Sequence, residues 1–534
     1  MSEKALRDSL IKGTLILALA AFVARFLGML LRAPLLYLIG EEGMAAYTLA
    51  NNIYMLLLII ATAGIPSTLS KMVSERLALN QEAEAMLIYK AAVRFALTAG
   101  VLMAVLLFAA APLYARLSEI EEAALSVRAI APALLLFPLI AIMRGYFQGR
   151  QMMKAGGLSQ IAEQFVRVIT AIGLAYLLMR MGQSAEWGAA GASFGAVTGS
   201  IAALSVMIYY SYRLRRLRGS APMLTLKDSG LTYKKIYQMI FKLSIPIVFI
   251  SMAVPALNVI DSTITVPLLQ SQIGQTAAKE TVGLLGAKAQ SLAGIPPILA
   301  IALSTSILPI VSSAYARKDI AEVSSKASQA LRLSMIAGLP LVLMLMIGAR
   351  PVNGLLFPDT EGTGMIVLMV FGSIFQILMM ISASILMGMG HTKEPMTHVF
   401  AGLAGKLVCS WALSIWFGIY GIIAATIFCF CFIFILNVRT IKRYIPFQLL
   451  HDHWQALVWT AAAAAAAGLL AEFGINPWIR TGIAKLDYFV QAALIGAVVS
   501  AVYGIAAVKW KAVPQEDIEA LPGPVRRALS KLKF

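Results

Sequence analysis

Apolar runs of about 20 residues recur along the chain, each long enough to cross a bilayer as an α-helix. Hydrophobic residues make up 60% of the sequence and charged residues 13%, whereas soluble domains are roughly half apolar and a quarter charged. The sequence therefore predicts an all-α integral membrane protein and excludes soluble enzyme folds. Fourteen transmembrane helices are predicted, over residues 10–39, 44–69, 91–114, 123–147, 158–181, 187–212, 238–268, 282–313, 327–348, 363–389, 396–418, 419–438, 454–474 and 487–508.

The formal charge of +18 is explained first by membrane topology and not by nucleic-acid binding. Lys and Arg are concentrated in the loops on the N-terminal side of the predicted spans, which the positive-inside rule assigns to the cytoplasm. We therefore expect a multi-pass protein of the bacterial plasma membrane with both termini cytoplasmic. The basic loop 213–237 is interpreted as a linker held against anionic headgroups.

An internal repeat with an offset of 238 or 239 residues divides the chain. It superimposes Arg94 on Arg332 and Arg167 on Lys406. Parallel repeats of this kind are typical of alternating-access transporters, whose substrate site lies between the two lobes. We predict an N-terminal lobe of six helices over residues 1–212 and a linker over 213–237. A pseudo-symmetric C-terminal lobe of six helices follows over 238–440, and two further helices with a cytoplasmic tail occupy 441–534.

Charged residues inside the spans are the candidate functional residues, because each is costly to place in a bilayer. Arg25, Gly28 and Arg32 share one face of the first predicted helix, and the glycine allows close approach to the backbone. Snorkelling to the interface is the alternative for both arginines. Arg25 and Arg32 are predicted to bind substrate.

The repeat-related pair Arg167 and Lys406 lies deep in the fifth and eleventh predicted spans, and both are candidate substrate-binding residues. The alternative for Arg167 is an internal i, i+4 salt bridge with Glu163. Lys406 has no acidic residue nearby in sequence, so it is a candidate for binding an external anion.

Lys288 opens the eighth predicted span, which Gly294 and Pro296-Pro297 then interrupt. Broken helices expose backbone groups that can bind substrate, so Lys288 is also a candidate. Asp261 is, with Glu163, one of two acids assigned to span interiors. We expect Asp261 either to pair with an arginine of the first span or to bind a coupling cation.

Several other charged residues are interpreted as interfacial anchors: Arg94, Arg128, Arg144, Lys242 and Arg332. No metal site, cofactor or catalytic residue is predicted. Because basic residues outnumber acidic ones within the spans, we expect an anionic substrate. Phosphate or pyrophosphate on a lipid carrier fits best, with the head held by basic groups and the tail in the bilayer.

Several motifs resemble a known family. They are Arg25-Phe-Leu-Gly28, Tyr47-Thr-Leu-Ala50, Gly64-Ile-Pro-Ser67, Arg144-Gly-Tyr-Phe-Gln-Gly149, Ser159-Gln160, Glu163-Gln164 and Arg167-Val168. They look like polysaccharide-export flippases of the MOP superfamily, above all the MurJ-type lipid II flippases and the stage V sporulation protein B relatives. The resemblance covers nearly the whole chain.

This resemblance implies a MATE-like fold, alternating access and a cationic central cavity for the pyrophosphate of lipid II. It also implies a groove for the undecaprenyl tail at the last two spans. Arg25 matches the family's first arginine in span 1, and Arg32 is the nearest counterpart of the second. The chain departs from the family by lacking an arginine in span 2 and by carrying Lys288 about three positions early.

Three alternatives to a lipid II flippase remain at this point. The first is a flippase for another lipid-linked oligosaccharide, such as a teichuronic acid, exopolysaccharide or spore-cortex precursor. The second is a cation or drug antiporter, which would require buried carboxylates. The third is a membrane-embedded glycosyltransferase or polymerase, which would require catalytic groups on its outer loops. The membrane potential or a monovalent cation is the expected coupling source, and cell-wall synthesis proteins are candidate partners.

Overall fold

A computed structural model describes residues 10–62, 64–218, 232–446, 454–475, 478–479, 481–510 and 512. All regular elements in these ranges are helices, which confirms the predicted all-α fold. The chain divides into two compact units, Met1–Gly286 and Ala287–Phe534. The predicted lobes were defined by an internal sequence repeat, so this division into compact units does not test them. Their boundaries stay a prediction. Residues 219–231 of the predicted linker and residues 513–534 of the predicted tail lie outside the described ranges.

The first unit contains eleven of the described α-helices. They are α1 (Leu10–Leu30), α2 (Arg32–Thr62), α3 (Ile65–Ala78), α4 (Glu82–Leu117), α5 (Ala123–Ile130), α6 (Ala133–Gly149), α7 (Met153–Arg180), α8 (Ala185–Arg218), α9 (Tyr233–Ser251), α10 (Ala253–Ile273) and α11 (Gln275–Leu284).

The second unit begins inside a π-helical turn, Leu285–Ala289. Its α-helices are α12 (Gln290–Ala293), α13 (Pro297–Ala316), α14 (Ile320–Ile347), α15 (Ala349–Leu356), α16 (Thr363–Gly388), α17 (Lys393–Tyr444), α18 (Trp454–Leu470) and α19 (Ala484–Lys509). A second π-helical turn, Ala471–Ile475, follows α18.

The described residues form ten helices long and apolar enough to cross a membrane, or eleven if the bent pair α9 and α10 is one span. The predicted number of fourteen is therefore not confirmed. Two of the ten each contain two predicted spans, separated by a glycine with positive φ: Gly40 at 66° and Gly418 at 55°. An L-residue rarely adopts that conformation, so each glycine allows the chain to turn between two apolar runs.

The eighth predicted span, 282–313, is broken in the way its sequence predicted. Helix α12 ends at Ala293 and α13 begins at Pro297, after Gly294 and Pro296. Proline is tolerated in a first helical turn but lacks the N–H that continues a preceding helix. Gly64, with φ 74°, separates α2 from α3 in the same manner. The break at Gly294 and Pro296 explains why the eighth predicted span is not one continuous helix.

The second unit includes an apolar cluster that joins α18 and α19 to α14. Ile336 of α14, Ala464 of α18 and Val499 of α19 are all buried in it. Tyr503 of α19 is also buried, and its hydroxyl donates to the Ile336 carbonyl oxygen at 3.1 Å. The last two described helices are therefore packed parts of this unit.

Candidate functional site

Arg25 lies on α1 and its side chain is exposed. It makes no hydrogen bond or ion pair to any residue that the structure describes. Its exposed neighbours Phe22 and Phe26 are apolar. Arg25 is therefore an exposed guanidinium, without a partner among the described residues, in the otherwise apolar segment 15–30 of α1.

Gly28, one turn further along α1, faces α7. A Cβ atom built on Gly28 would lie 3.5 Å from Gln164 Oε1, which is ordinary van der Waals contact. Near the start of α7, a Cβ on Gly156 would meet Leu17 of α1 at the same distance. The two helices therefore run side by side in the same direction.

Arg32 begins α2 and is half-buried. Its Nη1 donates a hydrogen bond to the carbonyl oxygen of Gly286, at the start of the π-helical turn. The charge of Arg167 acts on Arg32 within the same unit. The structure thus brings two of the predicted binding residues close together.

Arg167 is buried, with 6% of its surface exposed. Its Nη2 donates to Asn51 Oδ1 at 2.8 Å, and its guanidinium lies over the Tyr54 ring at 5.8 Å. The alternative expectation of an i, i+4 salt bridge with Glu163 is wrong among the described residues. The partners of Arg167 come from α2 instead, because a buried guanidinium needs several acceptors that one carboxylate on its own helix does not supply.

Glu163 pairs with Arg144 of α6 at 2.8 Å, and both side chains are mostly buried. Arg144 also donates to Ser159 Oγ, from Nη2 at 2.9 Å and from Nε at 3.2 Å. The sequence interpretation of Arg144 as an interfacial anchor missed this network. Its only sequence signal was the Arg144–Gly149 motif, which the family resemblance marks without assigning it a role.

A cavity of about 260 Å³ lies beside Arg144, wholly within the first unit. It is lined by Leu17, Thr62, Pro66, Phe137, Ala141, Arg144, Gln148, Met152, Met153, Gly156 and Gln160. Four of these, Pro66, Arg144, Gln148 and Gln160, belong to the motifs of the family resemblance. One cationic and three amide or hydroxyl side chains therefore share a mainly apolar space.

Lys288 lies in the π-helical turn of the second unit and is fully buried. Its Nζ donates to Asp359 Oδ1 at 2.6 Å and to the Glu361 carbonyl oxygen at 3.2 Å. The ammonium also lies 5.8 Å from the centre of the Phe357 ring. This predicted binding residue is therefore engaged by the loop between α15 and α16.

The loop that holds Lys288 is itself anchored by α19. Lys485 Nζ donates to the carbonyl oxygens of Gly354 at 2.7 Å and Phe357 at 2.6 Å. Partial burial raises the pKa of Asp359. Two other effects outweigh it and lower the pKa below its ordinary value of 3.8: hydrogen bonds from Lys288 and the Glu361 amide, and the positive charges of Lys288 and Lys485. Asp359 thus stays ionised at neutral pH. Sequence reasoning singled out neither Asp359 nor Lys485.

The two remaining predicted residues are buried. Lys406 of α17 is fully buried and donates to Ser410 Oγ at 3.1 Å. Asp261 of α10 is 1% exposed. No group of three His, Cys, Asp or Glu side chains within the described ranges is arranged to hold a metal ion.

The chain matches a family of known membrane proteins. The model of the polysaccharide biosynthesis protein family matches residues 10–315, which is more than half of the chain. Three Bacillus subtilis (strain 168) proteins are similar. The lipid II flippase MurJ is 25% identical, and the match covers 93% of this chain and 94% of MurJ. The uncharacterized membrane protein YabM is 27% identical, and the match covers 81% of this chain and 80% of YabM. Stage V sporulation protein B is 27% identical, and the match covers 62% of this chain and 64% of that protein.

Solved structures share the fold. An inward-facing MATE multidrug transporter of the MOP superfamily aligns with a TM-score of 0.65 at 13% identity, covering 79% of this chain and 96% of that one. The inward closed lipid II flippase MurJ aligns with a TM-score of 0.62 at 14% identity, covering 93% and 99%. The expected MATE-like fold is confirmed. The relative and the solved structures whose names state an activity are flippases and a transporter, which confirms the expectation that the chain is not an enzyme. The chain is therefore a multi-pass membrane protein that belongs to the polysaccharide biosynthesis protein family.

Proposed function

We propose that the protein is a flippase for a lipid-linked saccharide, that its substrate is lipid II, and that it works by alternating access. The observation that carries this proposal is Arg25, an exposed guanidinium in an apolar segment of α1 that has no partner among the described residues. A charge in a membrane span costs about 2.5–3.5 kcal/mol on insertion scales. A phosphate or diphosphate group can offset that cost, because guanidinium binds it through charge-assisted hydrogen bonds.

The choice of lipid II rests on the similarity to MurJ, which extends over 93% of this chain. Among the predicted binding residues, Arg25 contacts the diphosphate first in the proposed cycle. Arg32, Arg167, Lys288 and Lys406 contribute once their present partners are exchanged for it. Cytoplasmic termini follow from the distribution of basic loop residues. The membrane potential or a monovalent cation would reset the empty protein, and Asp261 is the candidate ligand for such a cation.

A flippase for another lipid-linked oligosaccharide is the second candidate. It is favoured by the similarity to stage V sporulation protein B and to YabM, whose identities of 27% are no lower than that of MurJ. A cation antiporter is less well supported, because the similarity to MATE transporters at 13% identity concerns the fold alone.

The test is lipid II arrival at the outer leaflet in bacterial cells depleted of their own flippase and expressing this protein. We expect wild type to restore arrival, Arg25→Ala to abolish it, and Arg25→Lys to retain part of it. Arg116→Ala, in the last turn of α4, is the matched control and should behave as wild type. If membrane-inserted wild type moves no lipid II, the second candidate replaces the first. If Arg25→Ala is fully active, the assigned role of Arg25 is wrong.

A further inference from the structure

We propose that the cavity beside Arg144 is a separate binding subsite for the diphosphate of the lipid-linked substrate, which the substrate occupies before it reaches Arg25. This inference rests on the proposed function. It assigns a role to a cavity and to an arginine that the proposed cycle does not otherwise use.

The guanidinium of Arg144 has donors to spare. It carries five N–H groups, and its described hydrogen bonds involve only Nε and Nη2. Nη1 has no partner among the described residues, while 20% of the side chain is exposed and the residue lines the cavity. Glu163 and Ser159 thus fix the guanidinium in place and leave two N–H groups for an anion.

The local charge also favours an anion. The carboxylate of Glu163 pairs with Arg144, and it also interacts electrostatically with Arg167 one turn along α7. One negative charge is thus shared between two guanidinium groups. The three side chains together carry a net charge of +1, which a phosphate would neutralise.

The walls match a diphosphate attached to a hydrocarbon chain. Gln148 and Gln160 offer amide donors, while Leu17, Phe137 and two methionines provide apolar surface. The volume of about 260 Å³ is below the roughly 300–1,000 Å³ of sites that enclose drug-sized ligands. The cavity therefore suits a diphosphate with the first carbons of its lipid, and a saccharide must remain outside it.

The position along α1 and α7 gives the order of binding. Arg144 lies five residues before the end of α6 at Gly149, which the predicted topology places on the cytoplasmic side. Leu17 lines the cavity, and Arg25 follows eight residues later on α1, ~12 Å along the helix axis. A substrate from the inner leaflet would thus meet Arg144 before Arg25.

The test measures binding of undecaprenyl diphosphate to the full-length protein in nanodiscs, in an Arg25→Ala background that removes the deeper site. We expect this background to retain binding. Adding Gly156→Leu should weaken binding at least tenfold, because the new side chain fills the cavity while its Cβ makes ordinary contacts at 3.5 and 4.0 Å. The matched control is Gly173→Leu on the same helix, where nothing lies within 4 Å of the added Cβ.

A double variant separates anion binding from the structural role of Arg144. Arg144→Gln with Glu163→Gln removes both members of the ion pair and leaves the net local charge at +1, because Arg167 stays. A purely structural pair therefore predicts unchanged binding. We expect a loss of at least tenfold, with wild-type elution from size exclusion. Unchanged binding in this double variant or in Gly156→Leu overturns the subsite.

Inorganic pyrophosphate, added as a competitor, distinguishes the sources of the anion. We expect it to compete, but more weakly than the lipid-linked form. If pyrophosphate competes as strongly as the lipid, the cavity binds a free anion. If pyrophosphate does not compete at all, the cavity binds only the hydrocarbon chain. Either result overturns the proposal. If wild type itself neither binds nor moves the lipid, it is the proposed function that fails.

Discussion

Lys288 and Asp359 lie 71 residues apart in sequence, yet they form a 2.6 Å ion pair in which the ammonium is fully buried and the carboxylate is 41% exposed. A cation predicted to bind substrate is thus held by an acid of its own unit. An anionic substrate would have to displace Asp359 to reach it. This relationship gives two predictions.

Asp359→Asn should lower the thermal stability of the protein, because Lys288 then lacks its countercharge. Breaking a fully buried pair costs about 3–5 kcal/mol and an exposed pair is worth about 1 or less. The mixed exposure of this pair suggests a loss of about 1–3 kcal/mol. Thermal unfolding in detergent measures it. Glu361→Gln is the control, since Lys288 contacts only the backbone of that residue; equal losses in both variants would contradict the prediction.

The stability contributed by Asp359 should also depend on pH. Its pKa is lowered in the folded protein, so the contribution is fully present above the ordinary value of 3.8 and is lost as the pH falls through the lower folded value. The difference between wild type and Asp359→Asn should stay constant from neutral pH down to about 4 and shrink only below it. Melting curves over that range test this. A difference that already fades near pH 6 would point to another titrating group.

Lys485→Met should loosen the loop that holds Lys288. The ammonium of Lys485 bridges the carbonyl oxygens of Gly354, in the last turn of α15, and of Phe357, the first residue of the loop. We expect faster hydrogen exchange over residues 355–362 and little change in α14. Lys509→Met, at the opposite end of α19, provides the comparison. Equal exchange in the two variants would show that the bridge does not order the loop.

Gly283→Ala should destabilise the packing of α11 on α2. An added Cβ would overlap the carbonyl oxygen of Glu41, which is backbone and unable to move aside easily. Overpacking of this kind costs about 1–3 kcal/mol. Gly504→Ala in α19 is the control, since nothing lies within 4 Å of its added Cβ, and it should be neutral or slightly stabilising. If Gly283→Ala unfolds at the same temperature as Gly504→Ala, α11 and α2 move apart at little cost and the prediction is wrong.

The sequence predicted the helical membrane fold because long apolar runs leave few alternatives in a bilayer. It also located a break where glycine and proline determine the backbone, at Gly294 and Pro296. Connections between distant segments were not predictable in the same way. Spacing along one helix offered Glu163 as the alternative partner of Arg167, but Arg144 of a neighbouring helix pairs with Glu163.

The candidate site was predictable in its residue types and less so in its contacts. Arg25 is exposed and has no partner among the described residues. Lys288 and Lys406 were recognised by their position in apolar segments. Ser410 lies one turn from Lys406 on the same helix, but nothing in the local sequence of Lys288 indicates Asp359 as its partner. Periodicity reports which face a residue occupies, whereas partner choice depends on how helices far apart in sequence pack.

The π-helical turn at Leu285–Ala289 affects how this protein can be compared with its relatives. Such a turn accommodates one residue more than an α-helical turn, and one residue corresponds to about 100° of rotation. A relative with one residue fewer here would direct the side chain aligned with Lys288 toward a different neighbour. Shared position in an alignment therefore does not establish a shared binding role for this lysine; the helical phase on either side of the turn has to be matched first.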